Sequence, residues 1–449
     1  MDMLPIFPSS GFCRLGFRSV IFLLSGILIE GQAAAPLPND ISNDPSANRN
    51  PNVIFILAGG LSREHLGCYG AQGNPTPNID QMAKEGLLFT EAYIPDPSPT
   101  VSNLILLTGV SKTGVSKNRK DGNPLPATKS RSLAHQLKKS GYSRSAYLGL
   151  WRLGKSGEES PMSYGFDDFI GFKDPLSAGL EFPTQLWRNN RTFKLHQNAN
   201  GTRAWSVHDQ FLKTIYNFIR IYREQPFLLV YNSTSLTSTD SLPSISGAAG
   251  NEKIQTSAAR LDQDVGRILD YLKGFEIEKD TLIFLLSDSP QLGISKQGSR
   301  SGHRLSSGNE WLLWEHYLQI PAIAWSPGTV PSGISCSIPW SLSDILPTFS
   351  DLTGFDKPSD FKGISLLPAI RGKDQAVDRT LNWEVHYNTK THTAVRLGRW
   401  KAVRTGESFP WILYDLESEF PESENVAHLH SEIIRKIEDL WSERSKATD

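Results

Sequence analysis

Short, nearly uninterrupted apolar runs punctuate the chain after residue 51. Asn52–Leu57 (NVIFIL), Pro226–Tyr231 (PFLLVY) and Thr281–Leu286 (TLIFLL) carry no polar alternation, the mark of strands buried on both faces. Arg144–Leu148 and Ile323–Trp325 read as two further strands. Helical patterns separate them. Pro77–Leu87 opens on the proline that suits a first helical turn, and Leu133–Lys139 stops near Gly141. Leu261, Val265, Ile268, Leu269 and Leu272 fall on one face of a helix, and Asp344–Leu352 reads as another helix. Buried strands alternating with helices predict an α/β fold: a large, mostly parallel sheet sandwiched by helices.

After about residue 375 the pattern changes. Leu381–Tyr387, Ala394–Leu397, Trp400–Arg404 and Trp411–Leu416 are short strands separated by turns, with Gly398-Arg399 placed as a hairpin turn. A last helix, about Ser431–Ser445, sets Ile433, Ile434, Ile437, Leu440 and Trp441 on one face. The expectation is a small C-terminal antiparallel sheet with a helix packed on it.

The N-terminus reads differently. Arg14 and Arg18 precede the apolar run Val20–Ile29, and Gly31, Ala33, Ala34 and Ala35 follow. That is the layout of a secretory signal peptide. The run is too short to cross a bilayer, which needs ~20 apolar residues. The expected organisation is a signal peptide over 1–35, a mobile leader over 36–51, an α/β domain over 52–375 and a C-terminal α+β subdomain over 376–449. The expected location is secreted or periplasmic, with no stable membrane anchor. The net charge is -1, from 46 Lys plus Arg against 47 Asp plus Glu, which argues against a nucleic-acid partner. Three cysteines make neither a disulfide framework nor a Cys-rich zinc site, and a Cys68–Cys336 pairing stays open.

Motifs then accumulate in one order. They are Pro51–Ala58, Leu66-Gly67-Cys68-Tyr69-Gly70, Thr76-Pro77-Asn78-Ile79-Asp80, Gly86–Thr90 and Leu106-Leu107-Thr108-Gly109. Gly149–Gly154, Tyr164–Phe169, Ser287-Asp288, Gly398–Arg404 and Leu413-Tyr414-Asp415-Leu416 follow. From about 51 to 445 this text resembles the sulfatases of the alkaline-phosphatase superfamily. The resemblance implies an alkaline-phosphatase-like sheet between helices and a small C-terminal sheet. It also implies a formylglycine nucleophile, made from Cys or Ser in a Cys-x-Pro-x-Arg motif. A divalent cation, usually calcium, would neutralise the sulfate oxygens.

The chemistry-bearing positions depart from that pattern. Pro99 stands in the nucleophile slot and Asn103 where the motif's Arg belongs. The two first-strand aspartates are Gly59 and Gly60, and the later acidic pair is Asp288 and Ser289. The family's cationic positions align with Leu150, Arg152, Thr237 and Glu310. Calcium wants six to eight oxygen ligands, mostly carboxylates, and Asp288 alone remains as a weak, vestigial metal ligand. These residues read as a vestigial pocket in which Arg152 pairs with Asp288 or Glu310. Restoring aspartates at Gly59 and Gly60 together is expected to revive calcium binding only if the loops still fit.

The expected function is a secreted sulfatase-family pseudoenzyme with no cofactor. One alternative is an active sulfuric- or phosphoric-ester hydrolase with a rearranged, calcium-dependent site, marked by acidic or His residues converging beside Gly59. Another is a glycan-binding module, marked by an exposed aromatic patch; the partner would be a glycan or sulfated polymer. Thr100 reads as a loop hydroxyl capping the next helix, and His303 as a solvated loop residue. Asn190, Asn200 and Asn232 each begin a glycosylation sequon.

Overall fold

The computed structural model describes residues 49–72, 76–110, 129–154, 159–235, 248–289, 312–358, 361, 363–373, 379–387 and 389–446. The expected signal peptide, the expected leader up to residue 48, Thr237, His303 and Glu310 lie outside them, while residues 49–51 of that leader are described. Arg49–Asp449 form one compact unit.

The chain opens with β1 (Asn52–Leu57), α1 (Pro77–Glu85), β2 (Leu87–Tyr93), α2 (Pro99–Thr108) and α3 (Leu133–Lys139). Then come β3 (Arg144–Leu150), β4 (Asp168–Phe172), β5 (Gln185–Arg188), β6 (Arg191–Lys194) and α4 (Val207–Tyr222). The central run ends with β7 (Phe227–Asn232), α5 (Ala248–Gly274), β8 (Thr281–Leu286), β9 (Gln319–Trp325), β10 (Ile334–Cys336), β11 (Trp340–Ser341) and α6 (Ile345–Thr353). The C-terminal elements are β12 (Thr380–Tyr387), β13 (Lys390–Leu397), β14 (Trp400–Thr405), β15 (Ile412–Asp415) and α7 (Ser431–Lys446).

Eleven strands form the main sheet in the order β10-β2-β9-β8-β1-β7-β3-β4-β5-β6, with β11 beside β2. The centre, β8-β1-β7-β3-β4, is parallel throughout. β9 runs antiparallel to both β2 and β8, and β5–β6 closes the opposite edge as an antiparallel hairpin. Every residue of β1, β7 and β8 is buried, as their unbroken apolar text requires. One core layer, with Leu104, Leu107, Leu346 and Phe349, covers one face. The layer with Phe211, Ile215, Leu261 and Val265 covers the other. The four C-terminal strands, β12-β13-β14-β15, are antiparallel, and Ile437 of α7 is buried with Trp411 and Leu413.

Several predicted boundaries shift. The helix expected over Pro77–Leu87 ends at Glu85, because Leu87 begins β2. The strand expected from Pro226 begins at Phe227, while the Pro226 carbonyl accepts from Ser143 N. Thr100 is no cap: it lies in the first turn of α2, after the N-cap Ser98. Cys68 and Cys336 are free thiols. Burial and the neighbouring Asp80 push the Cys68 thiol up to about 12.

Candidate functional site

In a parallel sheet, ligands collect outside the carboxyl ends of the strands. Here those ends are Gly59 after β1, Leu150–Arg152 after β3, Asn232 ending β7 and Asp288 after β8. The register places them together: Leu57 pairs with both Asn232 and Leu286, and Gly149 pairs with Asn232.

Asp288 is fully buried. Its Oδ2 accepts from Asn103 Nδ2 at 2.5 Å and from Asn232 Nδ2 at 3.1 Å. Its Oδ1 accepts from Ser289 Oγ at 3.3 Å. Asn103 reaches it from α2, whose helical spacing also lets the same amide donate to Pro99 O at 3.1 Å. Asn232 Nδ2 donates as well to Tyr147 Oη at 3.0 Å, and that hydroxyl donates to Leu150 O at 3.0 Å. Burial holds the Tyr147 phenol well above its ordinary range, so it stays protonated as a donor. The carboxylate is thus held by amides and a hydroxyl.

Gly59 faces the same point. A Cβ there would lie 2.6 Å from Asp288 Oδ1, 2.9 Å from Ser289 Oγ and 3.2 Å from Arg152 Nη2. Gly60 has φ +88°, a left-handed conformation that side chains adopt at a cost. The space that first-strand carboxylates would need is therefore taken by Asp288, Ser289 and the end of Arg152.

Of the two expected partners of Arg152, Glu310 lies outside the described residues and Asp288 is not paired with it. Among the described residues, Arg152 makes no ion pair with Asp288, because amides and a hydroxyl take the carboxylate oxygens. Arg152 does enter the space beside Gly59, and its Nε is buried without a partner. Asn103 Oδ1, Asn232 Oδ1 and Thr234 Oγ1 are likewise buried and unpartnered. Pro99 is the first residue of α2, where its missing N–H is not needed. Leu150 is fully buried in the core layer of Leu148 and Phe172. The places of Thr237 and Glu310 lie outside the described residues.

This donor set does not fit calcium. Among the described residues one carboxylate is present, its oxygens already engaged, and Arg152 brings positive charge to the same corner. Among the described residues no three His, Cys, Asp or Glu side chains converge as a metal site. No reaction step is derived through a metal here.

Two features were not predicted. Asn232 was marked only as the start of a sequon, yet it is buried and bonded to Asp288, which leaves no room for a glycan; Asn190 and Asn200 are exposed. Its position as the last, polar residue of an apolar strand was the available signal. The second is a buried ionic cluster between the two sheets. Lys401 Nζ lies 2.9 Å from Glu315 Oε2 and 2.7 Å from Glu422 Oε1, and Arg396 lies 2.5 Å from Glu91 and 3.1 Å from Glu315.

Comparison with known proteins matches the Sulfatase family model to residues 51–355, and the N-sulphoglucosamine sulphohydrolase, C-terminal model to residues 309–446. The chain is 28% identical to the N-acetylgalactosamine-6-sulfatase of Canis lupus familiaris, over 92% of this chain and 80% of that protein. The fold matches the crystal structure of Ps i-CgsB in complex with k-i-k-neocarrahexaose: TM-score 0.72, 23% identity, 89% of this chain and 93% of that one. It also matches the structure of BT4656 in complex with its substrate D-glucosamine-2-N,6-O-disulfate: TM-score 0.69, 18% identity, 89% of this chain and 98% of that one.

Proposed function

Because the chain belongs to the sulfatase family, we propose that it is a sulfatase-fold protein without ester hydrolysis, exported and acting by binding. The observation that carries this reading is the state of Asp288. In a hydrolase of this family that strand-end carboxylate would serve a cation; here Asn103 and Asn232 consume one oxygen and Ser289 contacts the other. Pro99 offers no side-chain nucleophile at the start of α2. An alkoxide from Thr100 would need a strong electrophilic partner to form near neutral pH, and the described donor set supplies none.

The N-terminal charge and apolar pattern supports secretion or export to a periplasm. The saccharides named with the structural neighbours support a sulfated glycan as the partner class.

Calcium titration calorimetry on the purified protein, with a thermal-shift check and a panel of sulfate and phosphate esters, tests the reading. The expected result is no heat, no shift at millimolar calcium and no turnover, since a cation bound only by the folded state would raise apparent stability. Calcium binding abolished by Asp288→Ala, together with ester turnover, would overturn it in favour of the hydrolase with a rearranged site.

A further inference from the structure

The segment from Phe182 to His208 contains Arg188, Arg191, Lys194 and Arg203 and no Asp or Glu. In a chain of net charge -1 this is a strong local asymmetry. The segment forms the β5–β6 edge hairpin and the loop that leads into α4.

The two arginines of the hairpin tip share one side of the sheet edge, while Lys194, paired with Gln185, projects from the other. Leu186 and Phe193 are cross-strand partners and pack on the core layer that holds Phe211 of α4. Side chains alternate along a strand, so Arg188 and Arg191, partners two positions on, project from the same face at the hairpin tip. At the hairpin base, Arg203 stands 5.9 Å over the Phe182 ring, and Lys213 of α4 stands 5.9 Å over the Trp205 ring. Trp205 is 36% exposed, a large share for an indole. Asn198 fixes this base by donating to Pro183 O and Trp205 O, both at 2.8 Å.

Neighbouring exposed cations are neutralised: Arg260 by Glu181 and Arg267 by Asp209. Arg188, Arg191, Lys194, Arg203 and Lys213 form no ion pair among the described residues. Charged side chains on an edge strand commonly serve to prevent strand addition. That role explains Arg191 and Lys194, but not the cation–aromatic pairs at Arg203 and Lys213, which lie off the strand.

The geometry points to a binding surface for a sulfated polysaccharide along this edge. Arginines pair with sulfate oxygens in a bidentate manner, and an exposed indole next to a cation presents a flat face for the C–H side of a sugar ring. The hairpin is four residues long, so tip and base are ~13 Å apart, a span of several sugar units that suits a chain better than a monosaccharide. The base lies at the sheet end where Arg152 lies, because β5 enters beside Phe172 and pairs Trp187 with Gly171. Two strand spacings, ~10 Å, separate β5 of the hairpin from β3, and three, ~14 Å, separate β6 from it. The surface is distinct from the Asp288 pocket and goes beyond the reading proposed for it.

The test is binding of heparin, unsulfated heparosan, duplex DNA and phosphatidylserine vesicles to the wild-type protein, to Arg188→Glu/Arg191→Glu and to Trp205→Ala. All three positions are exposed, and thermal midpoints confirm that the variants fold. The expected result is salt-sensitive heparin binding, no heparosan binding, and affinity about tenfold lower with a shallower salt slope in the double variant. Trp205→Ala should weaken binding with the salt slope unchanged. Absence of heparin binding, or binding untouched by the folded variants, would overturn the proposal. DNA or vesicles bound as tightly as heparin would also overturn it, assigning the surface to polyanions at large. Because the readout is binding, ester turnover by the wild-type protein would defeat the preceding reading and leave this one standing.

Discussion

Asn103 Nδ2 stands 2.5 Å from Asp288 Oδ2, joining the first turns of α2 to the end of β8 with an amide. Both side chains are buried, at 1% and 0% exposure. Charge-assisted hydrogen bonds of this kind are worth more than neutral ones, ~1.5–3 kcal/mol. Asn103→Leu should therefore lower unfolding free energy by about that amount in urea titration. Asn103→Asp should cost more at neutral pH, because two buried carboxylates would face each other, and should recover on acidification as one takes a proton. Equal stability of Asn103→Leu and wild type would show that the contact carries no weight.

The glycines at the end of β1 mark where a metal site would have to be rebuilt. Gly59→Asp places a Cβ 2.6 Å from Asp288 Oδ1, and Gly60→Asp puts a side chain on a residue at φ +88°. The sequence alone suggested this double substitution as a way back to calcium if the loops fit; the packing requires the side-chain ends of Asp288, Ser289 and Arg152 to shift first. The expected outcome is a loss of ~1–3 kcal/mol from overpacking at Gly59 alone, with no heat on calcium addition. A calcium-dependent rise in thermal midpoint in the double variant would mean that Arg152 and Ser289 move aside.

Pro99→Cys tests the nucleophile slot by itself. A proline that fits its backbone contributes ~0.4–1 kcal/mol through the unfolded chain, so the variant should fold with a small loss. It should also show no turnover of sulfate esters, because Asp288 remains engaged by Asn103 and Asn232. Turnover from this one change would place the surviving catalytic groups elsewhere around α2.

The parts of the fold legible in the sequence are those set by local pattern. β1, β7 and β8 have continuous apolar text because both their faces are covered. The helix Val207–Tyr222 went unpredicted although Val207, Phe211, Leu212, Ile215, Phe218 and Ile219 form its buried stripe. The edge hairpin β5–β6 is too short and too polar for its periodicity to be read. At the site, motif order located Gly59, Pro99, Asn103, Arg152 and Asp288, but not their partners. The sequence pairs Arg152 with Asp288 or Glu310, and only the first of these falls among the described residues. Whether a carboxylate is held by a cation or by amides depends on which side chains three strands and a helix bring within 3 Å, and Asn232 and Tyr147 enter only through that register.

The cluster between the two sheets gives a pH signature of its own. Lys401, with no exposed side-chain surface, bridges Glu315 and Glu422, so Lys401→Met should take the cation from Glu422, leave Glu315 to Arg396 and cost ~3–5 kcal/mol. Burial raises both Glu315 and Glu91 in this cluster. Burial raises Glu91 above the usual carboxylate value, Arg396 opposes that shift, the charge of Glu315 adds to it, and Arg63 opposes it. Tyr93 Oη and Gln319 Nε2 donate to the same carboxylate. With its folded value above its unfolded one, Glu91 binds more proton in the native state throughout that window. Its contribution is greatest below the ordinary carboxylate value and declines as pH rises through the raised one. The stability difference between wild type and Glu91→Gln, measured in urea, should therefore shift against the wild type as pH rises from the ordinary carboxylate value through the raised one. A shift in the opposite direction would mean that Arg396 outweighs burial at this carboxylate.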